Sequence, residues 1–406
     1  MSIDTAVLAI PEARTGPAPE TRWYAAEVAG LPILVRNLFL LKSLGVRTVH
    51  VSASESELPG LREFLSTWKA DRRLPRVETH GPAGMAPGVL PRLYLLADAT
   101  HVFHPKLVEF ALARQSRAAV VAEDGAPPAL GLLAEEDPPS PSALPALPRV
   151  AGPKGSFSRP ARNGGERRDA ERLVFRSLGR ETDGWVASRL NRPLSLWISR
   201  RLVGTSIHPN GITLFNFLVG AGSGALAALG SSASVAAAGV LYQLASMLDG
   251  VDGEVARAKF LASRTGAWLD TACDEATNLM FLVGVIVGVQ RQTPSRAFFW
   301  LGVATLGLYS LTLALLYGQL AFGLRRTSLL AFQEEIHKPE FRKRKAARLI
   351  LLLQPLIKRD LYALLFMVLC LAGFPRLIVA LWLVAVVLTP VLFVREVLGS
   401  IGRGRA

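Results

Sequence analysis

D-G-V-D-G-E-V-A-R-A-K-F-L-A-S-R-T-G-A-W-L-D-T-A-C-D, residues 249–274, sets the frame for the whole chain. Its four aspartates, Asp249, Asp252, Asp270 and Asp274, stand in two pairs between long apolar runs. The first pair is spaced by three residues and the second by four. On helices, both spacings bring the two carboxylates to one face. A carboxylate inside a membrane segment costs roughly 2.5–3.5 kcal/mol, so four unpaired ones cost about 10 kcal/mol. A shared divalent cation removes most of that cost, and hard oxygen donors suit Mg²⁺ or Mn²⁺. Salt-bridged structural acids are the plainer reading. The nearby bases, Arg257, Lys259 and Arg264, are too few to neutralise four acids alone. Gly250, Gly253 and Gly266 allow close approach of a phosphate or a backbone, and Arg257 offers a planar cationic fork.

The order Asp-x-x-Asp-Gly-x-x-Ala-Arg, eight residues, Gly, three, Asp, three, Asp resembles the signature of the CDP-alcohol phosphotransferase family. Asp249, Asp252, Gly253, Ala256, Arg257, Gly266, Asp270 and Asp274 match it at every fixed position. Pro209, Asn210 and Thr213 resemble that family's Pro-Asn-x-x-Thr opening of the first membrane helix, where Asn210 can also serve as a helix cap. Arg359-Asp360 resembles its Arg-Asp at a later helix start. The resemblance implies transfer of a substituted phosphate from a CDP-alcohol to an acceptor hydroxyl, with release of CMP. It implies metal held by Asp249, Asp252, Asp270 and Asp274, with Asp274 also the base that takes the acceptor proton. Gly253, Ala256, Arg257, Gly266, Asn210 and Thr213 would line the nucleotide. Lys358 or Arg359 would take an acceptor phosphate. The acceptor is a polyol, a polyol phosphate or a lipid, and a homodimer is expected.

The 406 residues are half apolar and carry a net charge of +14. That balance fits a membrane protein with basic loops against anionic lipid. Nucleic acid is not expected as a partner, since no binding motif accompanies the charge. Two cysteines, Cys273 and Cys370, form neither a disulfide framework nor a metal spacing. Six histidines make no cluster beyond His101 and His104, which read as loop residues. The first twenty residues lack a basic start and a long apolar core, so no signal peptide is expected.

The fold class expected is an α-helical integral membrane domain, six transmembrane helices plus an interfacial helix, with an N-terminal soluble α/β nucleotidyltransferase-like domain. Residues 1–150 alternate strand and helix patterns: strands at 6–10, 48–52, 93–97 and 118–122, helices at 32–44, 61–68 and 105–114. A mainly parallel sheet follows. Residues 30–51 and 95–98 resemble parts of sugar-nucleotidyltransferases, Asp98 standing where those carry a metal-binding aspartate. The loop at 10–20 departs from them: it has one glycine, and Pro11, Pro17 and Pro19 lack the amide donors that hold phosphates. The domain therefore reads as degenerate, with a working cytidylyltransferase as the alternative.

Residues 151–170 read as a linker, within a Pro-rich stretch that begins near 124. Residues 171–204, basic and Trp-bearing, read as an interfacial juxtamembrane helix. Residues 205–400 hold six apolar segments, near 211–229, 232–251, 267–290, 296–323, 360–374 and 376–397. Gly220 and Gly224 make a small-xxx-small pair for helix packing. The basic loop from Arg325 to Arg359 orients the bundle, placing both termini and the acids on the cytoplasmic side of a cell membrane. Two other functions fit less of this pattern. A cation transporter would string acids across the membrane instead of gathering them at one face. A non-catalytic membrane anchor would not need all eight signature positions.

Overall fold

A computed structural model describes residues 3–9, 23–81, 90–123, 125–179, 186–321 and 359–387. The chain divides into two compact units that do not follow its order. One holds Met1–Arg180, Ser199–Ile207 and Glu254–Ala262; the other holds Glu181–Ile198, His208–Gly253 and Ser263–Ala406.

The first unit is an α/β domain. Its sheet uses β1 (Thr5–Ala9), β4 (Thr48–Ser52), β5 (Arg76–His80), β6 (Leu93–Asp98), β8 (Ala118–Val121), β9 (Leu130–Ala134) and β10 (Arg149–Ala151). The strand order is β10-β8-β9-β6-β1-β4-β5. β1 runs parallel to β4 and β6, β4 to β5, and β8 to β10. β9 is antiparallel to both neighbours, so the sheet is mixed. Central strands β1 and β6 are continuous apolar runs because both faces are covered: Val7, Leu8, Tyr94, Leu95 and Leu96 are all buried. Two small pairings, β2 (Glu27–Val28) with β3 (Leu31–Pro32) and β7 (His101–Phe103) with β11 (Ser158–Pro160), complete the strands.

β5, β9 and β10 lie outside the predicted strands. β5, Arg-Val-Glu-Thr-His, is an edge strand with little apolar content. β9 and β10 sit among prolines whose turn signals mask a short strand. The 151–170 stretch carries β11 and the start of α4 (Gly164–Ser177). The predicted nucleotide loop at 10–20 lies outside the described residues.

α1 (Ile33–Ser43) follows β3, and every residue from Ile33 to Leu41 is buried. A helix covered on all sides must satisfy its polar groups internally. Arg36 does so by donating Nε to Val28 O (3.1 Å) and Nη2 to Ala29 O (3.1 Å) and Ala258 O (2.7 Å). Ala29 and Gly30, at φ 49° and 72°, make the two-residue turn between β2 and β3. A Cβ at Gly30 would stand 2.1 Å from the Val203 carbonyl oxygen, so glycine is required there. α2 (Leu58–Trp68) and α3 (Pro105–Leu112) complete the helices of the sheet domain, His104 capping α3.

The second unit is helical. Wide turns at Ala187–Asn191 lead into α5 (Arg192–Leu202). α6 (Pro209–Leu229), α7 (Ser232–Ala258), α8 (Arg264–Gln292) and α9 (Arg296–Ala321) follow, the last residues of α5 and α7 (from Ser199 and from Glu254) being counted in the first unit. Four stretches are long and apolar enough to cross a membrane: Pro209–Leu229, Ser232–Ala258, Arg264–Gln292 and Arg296–Leu315. They mark a membrane protein. The fifth and sixth expected segments correspond to α10 (Arg359–Leu371) and α11 (Pro375–Val387), each too short, as described, to span.

α6 and α8 pack backbone to backbone. A Cβ at Gly284 would stand 2.1 Å from the Gly224 carbonyl oxygen, and one at Gly288 2.0 Å from that of Ala227. Gly220 faces the Thr277 side chain and Gly224 the Met280 backbone in the same seam. The predicted small-residue pair is thus one half of a longer glycine seam, of the kind that lets membrane helices approach without a hydrophobic drive. Phe215 and Trp300 are about two-thirds exposed, 60% and 65%, as suits side chains that face lipid.

Candidate active site

Three elements of the second unit supply the acids and the base beside them. Asp249 and Asp252 lie in the C-terminal half of α7, Asp270 and Asp274 in the N-terminal half of α8. Carboxylate oxygens of Asp249, Asp270 and Asp274 all fall within 4.8 Å of one another. Arg359, the first residue of α10, donates Nη1 to Asp249 Oδ1 at 2.9 Å and also pairs with Asp274. Asp360 beside it accepts the Ala187 amide at 2.7 Å, which ties α10 to the turns before α5.

Asp252 lies beside that triad without being one of the three. It is buried, accepts the Thr213 hydroxyl of α6, and takes the Gly253 amide at 2.5 Å. Thr213 thus meets an acid of the signature. His208, not Asn210, caps α6: its Nδ1 accepts the Asn210 amide at 3.2 Å. The sequence expectation of an Asn210 cap missed this because histidine is an uncommon cap and Pro209 fixes the helix start at the residue after it. Asn210 instead lies near Gly266, where an added Cβ would come within 3.3 Å of its Oδ1. Gly266 donates its amide to the α8 cap Ser263 at 3.0 Å.

Behind the acids is a polar and aromatic wall. Tyr309 on α9 donates to Glu275, the acid that follows Asp274. Tyr242 donates to Asn278 Oδ1 at 2.7 Å and stacks on Phe281 at 4.0 Å.

The other signature residues, Ala256 and Arg257, belong to the first unit. Arg257 Nη2 donates to the Leu178 carbonyl at 3.3 Å, and Glu254 accepts the Ser199 hydroxyl at 2.6 Å. α7 ends there in a Schellman turn: Leu261 N–H bonds Ala256 O (2.8 Å) and Phe260 N–H bonds Arg257 O (3.3 Å). The turn needs a left-handed residue, usually glycine, yet Phe260 fills it at φ 55°. Its ring packs on Phe39 (6.2 Å) under the Arg36 guanidinium (5.6 Å). Arg36 takes the Ala258 carbonyl and Arg73 Nη1 that of Lys259 (2.7 Å), so two arginines cap the end of the helix. Nothing in the sequence flagged Arg36 or Arg73, because partners more than 180 residues away leave no local pattern.

Asp98 is buried and held by its own surroundings. It accepts the Thr100 amide (2.9 Å) and hydroxyl (2.7 Å), with Arg162 Nη2 at 3.3 Å and His101 Nδ1 at 3.2 Å. Burial pushes its carboxyl up, but His101 and Thr100 outweigh burial and hold it below the usual carboxylate range. Lys358 and the remainder of the basic loop before Arg359 lie outside the described residues. The histidine reading needs correction. His101 is in β7 and His104 caps α3, and a second group, His50 with His80, is brought together by strand pairing across thirty residues.

Apolar helices long enough to span, with an acidic cluster and a guanidinium against it, define a membrane protein. Residues 206–360 match the model of the CDP-alcohol phosphatidyltransferase family, and this stretch is a domain of that family. The chain is 38% identical over 133 residues to the "Bifunctional IPC transferase and DIPP synthase" of Archaeoglobus fulgidus, covering 33% of this chain and 26% of that protein. It is 40% identical over 114 residues to the protein of the same description in Thermococcus kodakarensis, covering 28% and 25%. The Aquifex aeolicus protein so described is 38% identical over 136 residues, covering 33% and 30%. The matches thus span less than a third of each relative's length. Among solved structures, the inositol-1-phosphate CTP transferase from T. maritima is similar at TM-score 0.24 and 14% identity, over 30% of this chain and 55% of that one. HddC from Yersinia pseudotuberculosis is similar at TM-score 0.29 and 11% identity, over 42% and 99%.

Proposed function

We propose that the protein is a membrane CDP-alcohol phosphotransferase. It moves a substituted phosphate from a CDP-alcohol to an acceptor hydroxyl and releases CMP. The observation that carries this reading is the triad Asp249, Asp270 and Asp274, with Arg359 bridging Asp249 and Asp274, inside the family-matched stretch. The donor is a CDP-polyol of the CDP-inositol type and the acceptor a polyol phosphate. CDP-diacylglycerol is the competing donor. Both termini and the acids face the cytoplasm, where CDP-linked substrates are made, and the chain works as a homodimer.

The donor set fits a hard divalent cation. It is all oxygen, it comes from neighbouring helices, and two of its three carboxylates pair with one guanidinium. Asp249, Asp270 and Asp274 would hold Mg²⁺, with Asp252 beside them positioned by Thr213. When bound, the ion neutralises charge on the pyrophosphate oxygens. The acceptor hydroxyl oxygen attacks the phosphorus that carries the alcohol, and an oxygen–phosphorus bond forms. The bond from that phosphorus to the CMP oxygen breaks, and CMP leaves with the electron pair. Asp274 takes the acceptor's proton. Arg359 holds the acceptor phosphate: its Nε and Nη2 are buried without a hydrogen-bond partner among the described residues. Gly253 and Gly266 leave room for the nucleotide, with Asn210 beside Gly266; Ala256 and Arg257 are assigned to it by the family resemblance alone. The first unit is a degenerate nucleotidyltransferase, a reading supported by Asp98 being engaged by Thr100, His101 and Arg162.

The test is CMP release by the full chain in detergent with Mg²⁺, offered CDP-inositol and CDP-diacylglycerol in turn with polyol-phosphate acceptors. Release with a donor supports the reading. A folded protein that releases no CMP from either donor removes it.

A further inference from the structure

We propose that His50, Glu78 and His80 form a Zn²⁺ site that fastens the edge strand β5 to β4, separate from the acidic centre. The parallel register sets His50 opposite Glu78 and Ser52 opposite His80. Alternation along β5 sends Glu78 and His80 to one face, while Thr79 between them points the other way and accepts Arg62 of α2 at 3.0 Å. The result is three metal-binding side chains gathered on one face of two adjacent strands.

The distances fit one small ion. His50 Nδ1 lies 3.0 Å from His80 Nε2 and 3.6 Å from Glu78 Oε2, and His80 Nε2 lies 3.9 Å from the same oxygen. Donors at about 2.0–2.1 Å from a tetrahedral zinc stand roughly 3.3–3.4 Å apart, within the spread of those three separations. Two imidazoles and a carboxylate are the borderline donor set that zinc takes, and three protein donors leave a fourth position for water. Glu78 is also oriented from behind. Its other oxygen, Oε1, pairs with Arg76 at 2.8 Å, which leaves Oε2 directed at the histidines. His50 is buried and His80 partly so, so the group is fixed by packing and still reachable from the edge.

A bond between two imidazoles sharing one proton would explain the His50–His80 distance alone. It would not require a carboxylate oxygen facing both rings. Zinc accounts for all three side chains and gives a short, polar edge strand a cross-link that its apolar content does not supply.

The full-length protein is stripped with chelator, held in excess Mg²⁺ to occupy the acidic centre, and titrated with Zn²⁺ by calorimetry and elemental analysis. One equivalent of zinc is expected in the wild type and in Asp270→Asn. His80→Gln is expected to weaken it about 100-fold or more, since even indirect zinc supports are worth 10- to 100-fold. Cobalt should give a tetrahedral absorption band that His80→Gln abolishes. Should His80→Gln fail to fold, Glu78→Gln makes the same comparison. The proposal is overturned if the wild type retains no zinc under excess Mg²⁺, or if these variants bind it as tightly as the wild type.

Discussion

Arg359 and Asp249, 110 residues apart in sequence, are joined by a 2.9 Å charge-assisted hydrogen bond that closes α10 onto α7. The same guanidinium pairs with Asp274. One cation therefore bridges two of the three carboxylates gathered between α7 and α8. Its removal leaves the acids facing one another, and it also removes the donors assigned to the acceptor phosphate. Arg359→Gln is expected to lower kcat/KM roughly 100-fold, the scale of one lost charge-stabilising donor. Steady-state kinetics in acceptor concentration check it, with the loss carried mainly in acceptor KM. An unchanged acceptor KM would separate Arg359 from substrate.

Arg36 supports the end of α7 from within the α/β unit. Arg36→Met leaves three buried carbonyls, Val28, Ala29 and Ala258, without that donor. A cost of about 3 kcal/mol is expected, since each buried acceptor left unmet costs about 1–3 kcal/mol and relaxation recovers part. Hydrogen exchange over residues 254–262 reads it directly. Protection equal to wild type there would show that Arg36 does not hold the turn.

Much of the α/β unit was legible in advance. Thr48–Ser52 is a strand at its predicted bounds, and the strands and helices at β1, β6, β8, α1, α2 and α3 shift by only a few residues. Each shows a clear period or apolar run. β5 and β9 were hidden, the first by its polar edge composition and the second by neighbouring prolines. Within the acidic centre, Asp249, Asp270 and Asp274 could be named because helical spacing and motif coincide. The geometry that sets Asp252 against Thr213 depends on how α6 lies on α7, and no local pattern encodes that. His50 with His80 was missed for the same reason: a parallel register brings together residues that sequence distance keeps apart.

The α6–α8 seam makes a sharper steric prediction. At Gly288 a Cβ would meet the Ala227 carbonyl, a backbone atom that cannot rotate away. Gly288→Val is expected to cost about 1–3 kcal/mol or more by overpacking and to lower the thermal midpoint in detergent. Gly307, with nothing near its Cβ position, is the control, and Gly307→Ala should leave the midpoint almost unchanged. Equal midpoints for the two variants would mean the seam is looser than described.

His104 gives the α/β unit an acid-side weakness. Its Nδ1 caps α3 by accepting the Lys106 amide at 3.1 Å, which requires a neutral ring. Burial, and next the charge of Lys106, hold its pKa below the usual histidine value of 6.5. Above that value both states are neutral and His104 adds no pH dependence. As pH falls below it, the unfolded chain binds the proton first, and stability declines until the folded pKa is passed. His104→Asn keeps a cap acceptor that does not titrate, and should remove that decline while costing no more than about 1 kcal/mol at pH 7.5. Hydrogen exchange of α3 amides from pH 7.5 to 5, corrected for intrinsic rates, is the readout. A decline of equal size in both proteins would place its origin elsewhere.

The rate of CMP release as a function of Mg²⁺, wild type against Asp270→Asn, tests the central claim most directly. The account expects saturable Mg²⁺ dependence in the wild type, abolished by chelator. It expects a loss of roughly 100- to 1,000-fold in Asp270→Asn, with an unaltered thermal midpoint. Turnover by Asp270→Asn within about twofold of wild type, at equal Mg²⁺, would contradict it, since that is well short of the loss one charge-stabilising group carries.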